Sequence, residues 1–165
     1  MIGHPGSFQI ATFLKNMDKL FDDMALEQKF GQKIYDKMIE FEFDYYERIL
    51  QAGQGLIDIL RLHDDYGTQI CSLFSVDMWR QFFKENTKKL VNLAHKYGAF
   101  YQQHSCGAVQ AIIPELIVCG VDVLEPLQKV NGLEVTVLQE KFGGKICFQG
   151  RSILKAFYHL KQLRK

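Results

Sequence analysis

A histidine and a cysteine two residues apart, His104 and Cys106, are the residues of this sequence with the clearest chemical potential. They come directly after a short strand-forming segment, Ala99–Gln103, where that segment gives way to a loop. Imidazole nitrogen and thiolate sulfur are ligands that zinc prefers, and α/β barrels keep their reactive groups at the carboxyl ends of the strands. The pair therefore predicts half of a zinc site, although such spacing also occurs in ordinary loops and around buried thiols.

Polar side chains follow three further predicted strands in the same way. The predicted strands are Leu56–His63, Ala99–Gln103, Val121–Leu124 and Lys145–Phe148. The carboxyl ends of parallel strands lie on one face, so we expect the polar groups there to converge, even though strand-to-helix loops are polar in general. The candidate site residues are Asp64, Asp65, His104, Cys106, Glu125, Gln128 and Gln149.

Helical segments separate these strands. Residues from Phe8 to Ala52 predict helix, and apolar residues at three- and four-residue steps indicate one buried stripe. That stripe consists of Ile34, Met38, Phe41, Tyr45, Ile49 and Ala52. The later predicted helices run from Ser75 to Tyr97 and over Ile112–Cys119, Val135–Phe142 and Ser152–Leu163. Strand and helix alternate four times, which predicts an α/β fold with parallel strands and right-handed crossovers.

The remaining candidates are assigned roles by residue type. Asp64 and Asp65 could accept hydrogen bonds from a substrate amine or pyrrole N–H, or act as a general base. For Asp64, substrate binding and capping of the following turn both stay open. Tyr66 packs either against a ligand or against the rim of the barrel. Gln128 and Gln149 are expected to contact substrate or to orient the residues that do.

Other potential ligands have no obvious partner. His63 and three further histidines lack a ligand-type neighbour in sequence, and we treat them as ordinary surface or core residues. Cys147 is interpreted as a small buried hydrophobic residue, although it could, like Glu125 or Asp65, also serve as a third metal ligand.

Composition places the chain in a broad class. Its 165 residues carry a net charge of only +1, so no overall field favours nucleic acid or an anionic membrane. No apolar run approaches the ~18 residues of a membrane span, and the N-terminus lacks a secretory signal. Four cysteines without a disulfide pattern indicate a reducing compartment, and we expect a cytoplasmic protein.

Several motifs, in order along the chain, resemble the uroporphyrinogen decarboxylase superfamily. They are Asp64-Asp65-Tyr66-Gly67-Thr68-Gln69, His104-Ser105-Cys106-Gly107, Gly120–Leu124 with Pro126 and Gln128, and Ile146–Gly150. The resemblance covers residues 8–150 and implies a (β/α)₈ barrel, of which this chain resembles the fourth to seventh strands. We therefore expect one domain over residues 1–165, truncated at both ends, with residues 151–165 as a divergent tail.

The resemblance also implies a chemistry. The His-x-Cys-Gly motif is similar to the cobamide-dependent methyltransferase branch, in which His104 and Cys106 would bind zinc and a later cysteine on the final strand would be the third ligand. That strand and the arginine-bearing segment of the decarboxylases are absent here. Asp65, inside a family motif, is the predicted catalytic residue. Methyl transfer from a corrinoid, held by a partner protein, to a small thiol is the expected reaction.

Two alternatives stay open. A porphyrinogen decarboxylase would need no metal and would release CO₂ from a small-molecule substrate. A piece of the barrel without activity of its own would expose two sheet edges and associate with itself. The family implied by the resemblance consists of enzymes, but whether this chain is active alone stays open.

Overall fold

The computed structural model describes residues 1–26, 28–128 and 134–150, in which five parallel strands alternate with helices. The strands lie in the order β1-β2-β3-β4-β5, as in part of a (β/α)₈ barrel. The strands are β1 (Ile2–Pro5), β2 (Ile59–His63), β3 (Phe100–His104), β4 (Val123–Glu125) and β5 (Cys147–Phe148). The helices are α1 (Ser7–Leu14), α2 (Met17–Ala25), α3 (Gln28–Ala52), α4 (Val76–Trp79), α5 (Glu85–Lys96), α6 (Ile113–Cys119) and α7 (Val135–Phe142). The predicted α/β class and partial barrel are confirmed.

The first strand was not predicted from the sequence. β1 contains Gly3 and Pro5, which are both depleted in strands, yet it pairs in parallel with Leu60–His63. Proline has no N–H to donate to a neighbouring strand. It is tolerated in β1 because β1 is an outer strand of the described sheet, with no strand on its other side. β1 and β5 are the two outer strands among the described residues, and self-association through them stays a prediction.

The prediction of one N-terminal helix over residues 8–52 is wrong in two details. The structure has three helices there, and Asn16 caps the second by accepting a hydrogen bond from the Asp18 N–H at 2.9 Å. The buried stripe of α3 lies one residue over from the prediction, because Phe41 is 55 % exposed whereas the next residue, Glu42, is buried. The buried residues of this stripe are Tyr35, Ile39, Glu42, Tyr46 and Leu50.

The helix after Ser75 is confirmed, and the segment predicted over Ser152–Leu163 lies outside the described residues. The Ser75 Oγ accepts the Met78 N–H at 3.1 Å, and helical turns continue through a π-helical segment, Arg80–Lys84, into α5. No helix of the described residues has the length and apolar character needed to cross a membrane.

Alternation along each strand gives the sheet two different faces. Leu60 and Leu62 point into the main core between the sheet and the helices. Arg61 and His63 point to the opposite face, which would line the interior of a closed barrel and is called the inner face below. The strand register places Gln102 beside Arg61 and His104 beside His63 on this inner face. The sheet therefore brings the polar residues of several strands to one side.

Candidate functional site

His104 and Cys106, called the His–Cys pair below, direct their ligand atoms toward each other. His104 is the last residue of β3 and is 8 % exposed, and Cys106 lies two residues beyond it. The His104 Nε2 and Cys106 Sγ atoms are 3.5 Å apart. Two ligands of a tetrahedral zinc ion with bonds of about 2.1 Å to nitrogen and 2.3 Å to sulfur lie about 3.6 Å apart. The pair therefore has the separation needed to share one zinc ion.

Asp65 lies beside this pair, just beyond the end of β2. Its Oδ1 atom accepts the Cys106 backbone N–H at 2.8 Å and lies 3.5 Å from the His104 Nε2. Burial, together with the charge of Asp65, raises the pKa of Cys106 above its ordinary value. The thiol is therefore held in its neutral form until a cation is close enough to displace the proton.

Glu125 and Arg61 approach His104 from its other nitrogen. The Glu125 Oε2 lies 2.8 Å from the His104 Nδ1 and accepts hydrogen bonds from the Arg61 Nη2 and Nε at 2.9 and 3.2 Å. Burial opposes ionisation of Glu125, but hydrogen bonds from His104 and Arg61 hold its pKa below the ordinary value. The Arg61 Nη2 also lies 2.6 Å from the His104 Nδ1. In the tautomer that donates its Nδ1–H to the Glu125 carboxylate, the Nε2 lone pair faces Cys106.

Gln128 and Gln149 lie at neighbouring strand ends and are already hydrogen-bonded. The Gln128 Oε1 accepts the Gly107 N–H at 3.0 Å, and so holds the loop that follows Cys106. The Gln149 Oε1 accepts the Gln102 side-chain amide at 2.8 Å on the inner face. Their predicted contacts with substrate stay predictions.

A glycine is required at position 107 for two reasons. Its φ of +83° lies in the left-handed region, and a Cβ there would come within 2.4 Å of the Gly67 backbone. The loops after β2 and β3 are therefore packed backbone against backbone, which holds Asp65 close to the His–Cys pair.

Asp64 and Tyr66 do not lie with the other candidates. Because they alternate with Asp65, they point into the core on the helix side of the sheet, and each is 1 % exposed. The Asp64 carboxylate accepts the Gln9 N–H at 2.8 Å and the Phe8 N–H at 3.4 Å, at the first turn of α1. The structure thus gives Asp64 a capping role, on α1 rather than on the turn considered from the sequence, and places Tyr66 in an aromatic cluster with Phe74 and Phe83.

Replacing Asp64 by alanine is expected to lower the free energy of unfolding by about 1–3 kcal/mol. The substitution leaves two backbone N–H groups of α1 and the Tyr66 hydroxyl, 3.3 Å from the carboxylate, without their acceptor. Urea denaturation of both proteins measures the difference. Asp64→Asn is the matched control, since its side-chain oxygen can still accept from the helix, and it should retain most of the stability. An alanine variant as stable as wild type would contradict the capping role.

Two residues of the site, His63 and Arg61, were not predicted from the sequence. The His63 Nε2 lies 3.7 Å from the Asp65 Oδ1, and the His63 and His104 rings are 3.9 Å apart at their centroids. Burial, followed by the nearby His104, lowers the pKa of His63, so the ring is neutral. The available signal was the alternation of β2, in which Arg61, His63 and Asp65 share one face.

Cys147 is placed away from these ligand atoms. It is a register partner of Val123, two residues before Glu125 along β4, and packs with Val123 and Phe100 in a small apolar cluster on the inner face. Its interpretation as a small buried hydrophobic residue agrees with this position.

Comparison with known proteins identifies the class to which this fold and site belong. Residues 2–152 match the family described as uroporphyrinogen decarboxylase (URO-D), and the chain belongs to that family. Among solved structures, a methyltransferase from Methanosarcina mazei superposes with a TM-score of 0.70 at 20 % sequence identity. The alignment covers 88 % of this chain but 40 % of the methyltransferase, so the chain spans less than half the length of that protein. No curated protein sequence matches significantly.

Proposed function

We propose that this chain carries the metal-binding part of an enzyme that transfers a methyl group from a methylated corrinoid to a thiol. The observation that carries the proposal is the 3.5 Å separation of the His104 Nε2 and Cys106 Sγ atoms at the carboxyl end of β3. This is the separation expected for two ligands of one zinc ion. The likeness to a methyltransferase fold supports the same branch of the family.

Each residue of the site would have a separate role. Bound zinc would supply Lewis acidity that lowers the pKa of an incoming thiol. The His–Cys pair would hold the ion, and Glu125 would keep the Nε2 lone pair of His104 available for it. Asp65, with a side chain 38 % exposed beside the pair, is positioned to accept the proton that the thiol releases.

The group transfer balances without a further reactant. The thiol sulfur forms a bond to the methyl carbon while the carbon–cobalt bond breaks, and the bonding electron pair remains on the cobalt. The products are a thioether, a proton on Asp65 or solvent, and the demethylated corrinoid, which a partner protein would carry. The thiol is thus the small-molecule substrate in this proposal.

The proposal is tested with the full chain and one equivalent of zinc, using methylcobalamin and 2-mercaptoethanol as probes. Loss of the methylcobalamin absorbance measures the rate, and mass spectrometry identifies the methyl thioether. We expect transfer faster than with free zinc, and no such acceleration with His104→Ala or with excess chelator. A rate equal to that of zinc alone, or unchanged by His104→Ala, would contradict the proposal. Turnover of uroporphyrinogen in the presence of chelator would instead support the decarboxylase alternative.

A second prediction concerns Glu125, which contacts the metal ligand rather than the metal. Glu125→Gln is expected to weaken zinc binding about 10- to 100-fold, because the amide is a weaker acceptor for the His104 Nδ1–H and leaves Arg61 without its charge partner. Competition with a chromophoric chelator measures the affinity. Glu47→Gln, which changes a carboxylate paired with Lys96 outside the site, is the control and should leave zinc affinity unchanged. Equal affinity of the Glu125 variant and wild type would disprove this role.

A further inference from the structure

Two short motifs of the same form end neighbouring strands at the same level. His63 and His104 are register partners on β2 and β3, and each is followed two residues later by another potential ligand. On β2 that ligand is Asp65, and on β3 it is Cys106. Asp65 and Cys106 lie just beyond the strands, and each has a ligand atom 3.5 Å from the His104 Nε2, so both are on the same side of the sheet as His104.

The distances within this group fit one cation. One ligand atom each from His63, Asp65 and His104 lies within 4.8 Å of the others. Cys106 is outside this group of three and is linked to it through His104, whose Nε2 lies 3.5 Å from the Cys106 Sγ. The Asp65 Oδ1 lies 3.5 Å from the His104 Nε2 and 3.7 Å from the His63 Nε2. Two nitrogen or oxygen ligands of a tetrahedral zinc ion are about 3.4 Å apart, so each pair needs a shift of only a few tenths of an ångström.

We propose that His63 and Asp65 complete the metal site of the His–Cys pair, so that a zinc ion is bound wholly by the ends of β2 and β3. This rests on the proposed function for the identity of the metal and extends it with a ligand set of two imidazoles, one carboxylate and one thiolate. Such a mixed set suits zinc or cobalt(II), whereas magnesium and calcium prefer oxygen ligands.

The ligand set is compatible with the thiol chemistry. Catalytic zinc usually has three protein ligands and an open position, but it can expand to five ligands, which would let a thiol bind beside the four protein ligands. Asp65 would bind through its Oδ1 atom, and the second oxygen of the carboxylate remains for the proton that the thiol releases. The loops that carry Asp65 and Cys106 are packed backbone against backbone at Gly67 and Gly107, which keeps the ends of the two strands together around the ion.

Zinc affinity of the full chain, measured by chelator competition, tests this ligand set. We expect one zinc per chain, and a loss of affinity of at least tenfold in both His63→Gln and Asp65→Asn. Asn keeps the acceptor for the Cys106 N–H, so its effect reports on the charge and ligand strength of the carboxylate. The matched controls are His95→Gln, from a His–Asp pair remote from the site, and Asp58→Asn, exposed just before β2; both should bind zinc as wild type does.

Cobalt(II) substitution gives a second measurement that does not depend on activity. The visible d–d bands report the coordination geometry, and the near-ultraviolet sulfur-to-cobalt band reports Cys106. The His63 and Asp65 variants should change the d–d bands and keep the sulfur band. Circular dichroism establishes that each variant is folded, and the rise in thermal unfolding temperature on adding zinc gives an independent measure of binding.

The outcomes separate this inference from the proposed function. If both the His63 and Asp65 variants bind zinc as tightly as wild type while His104→Ala does not, the four-ligand set is wrong and the His–Cys pair still stands as the metal site. If wild type binds no zinc, the four-ligand set is wrong, because all its donors lie within this chain. If the His104→Ala variant also binds zinc as tightly as wild type, both the four-ligand set and the proposed function are wrong.

Discussion

Cys106→Ser is expected to weaken zinc binding by at least about 100-fold and to abolish the sulfur-to-cobalt band of the cobalt(II) protein. The thiolate is the soft, strongly binding ligand of the site, whereas a serine hydroxyl is not deprotonated by zinc at neutral pH to the same extent. The loss should exceed the roughly 10- to 100-fold effect of changing a residue that only orients a ligand, as predicted for Glu125.

The exposed Cys71 offers a matched control for this substitution. It is a free thiol in the loop after β2, where its sulfur lies 3.8 Å from the Thr68 hydroxyl, and Cys71→Ser should leave zinc affinity and the cobalt spectrum unchanged. A Cys106→Ser protein that retains both zinc and methyl transfer would remove the cysteine from the proposed metal site.

The second large effect concerns stability and depends on pH. Glu42 is 1 % exposed on the buried side of α3, and neither of its carboxyl oxygens has a hydrogen-bond partner among the described residues. It faces a small cavity lined also by Ser7, Asp64, Asn86 and Thr87. Burial, followed by the charge of Asp64, raises the pKa of Glu42 from an ordinary 4.5 to about 9.

The sign of the pH dependence follows from proton binding. Between pH 4.5 and 9 the folded chain keeps the Glu42 proton and the unfolded chain has lost it, so each rise in pH favours unfolding. Asp64 acts in the same direction, because burial raises its pKa from 3.8 to about 7 against the hydrogen bonds from Gln9 and Phe8. We expect the free energy of unfolding to fall by about 4–6 kcal/mol between pH 5 and pH 8, with the larger share from Glu42.

Glu42→Gln should remove most of this fall, since glutamine has the shape of the protonated acid and no charge to lose. The variant should match wild type at pH 5 within about 1 kcal/mol and exceed it by about 2–4 kcal/mol at pH 8. Urea denaturation at both pH values, with chelator present to exclude metal binding, measures the difference. Glu40→Gln, exposed two residues earlier on α3, is the control. An unchanged pH slope in the Glu42 variant would contradict the role of this carboxyl.

Much of the fold and part of the site could be predicted from local sequence. The strands β2 to β5 and the later described helices are marked by strand-forming segments, an N-cap at Ser75 and glycine stops, which are short-range signals. β1 carries no such signal, because Gly3 and Pro5 are poor strand residues and pair only where β2 is available beside them. The helical stripe of α3 was misplaced by one residue because a carboxyl, Glu42, occupies a buried position that hydrophobic periodicity leaves out.

The amino-acid order alone was enough to place an imidazole and a thiol at the end of a strand, because a spacing of two residues directs both to the same side of any extended chain. The tertiary structure determines which other residues lie beside this imidazole and thiol. Adjacent Asp64 and Asp65 look equivalent in sequence, but strand alternation sends one into the core to cap α1 and the other to the His–Cys pair. His63 and Arg61 gained their positions from pairing between β2 and β3, a contact across some forty residues that no local pattern specifies.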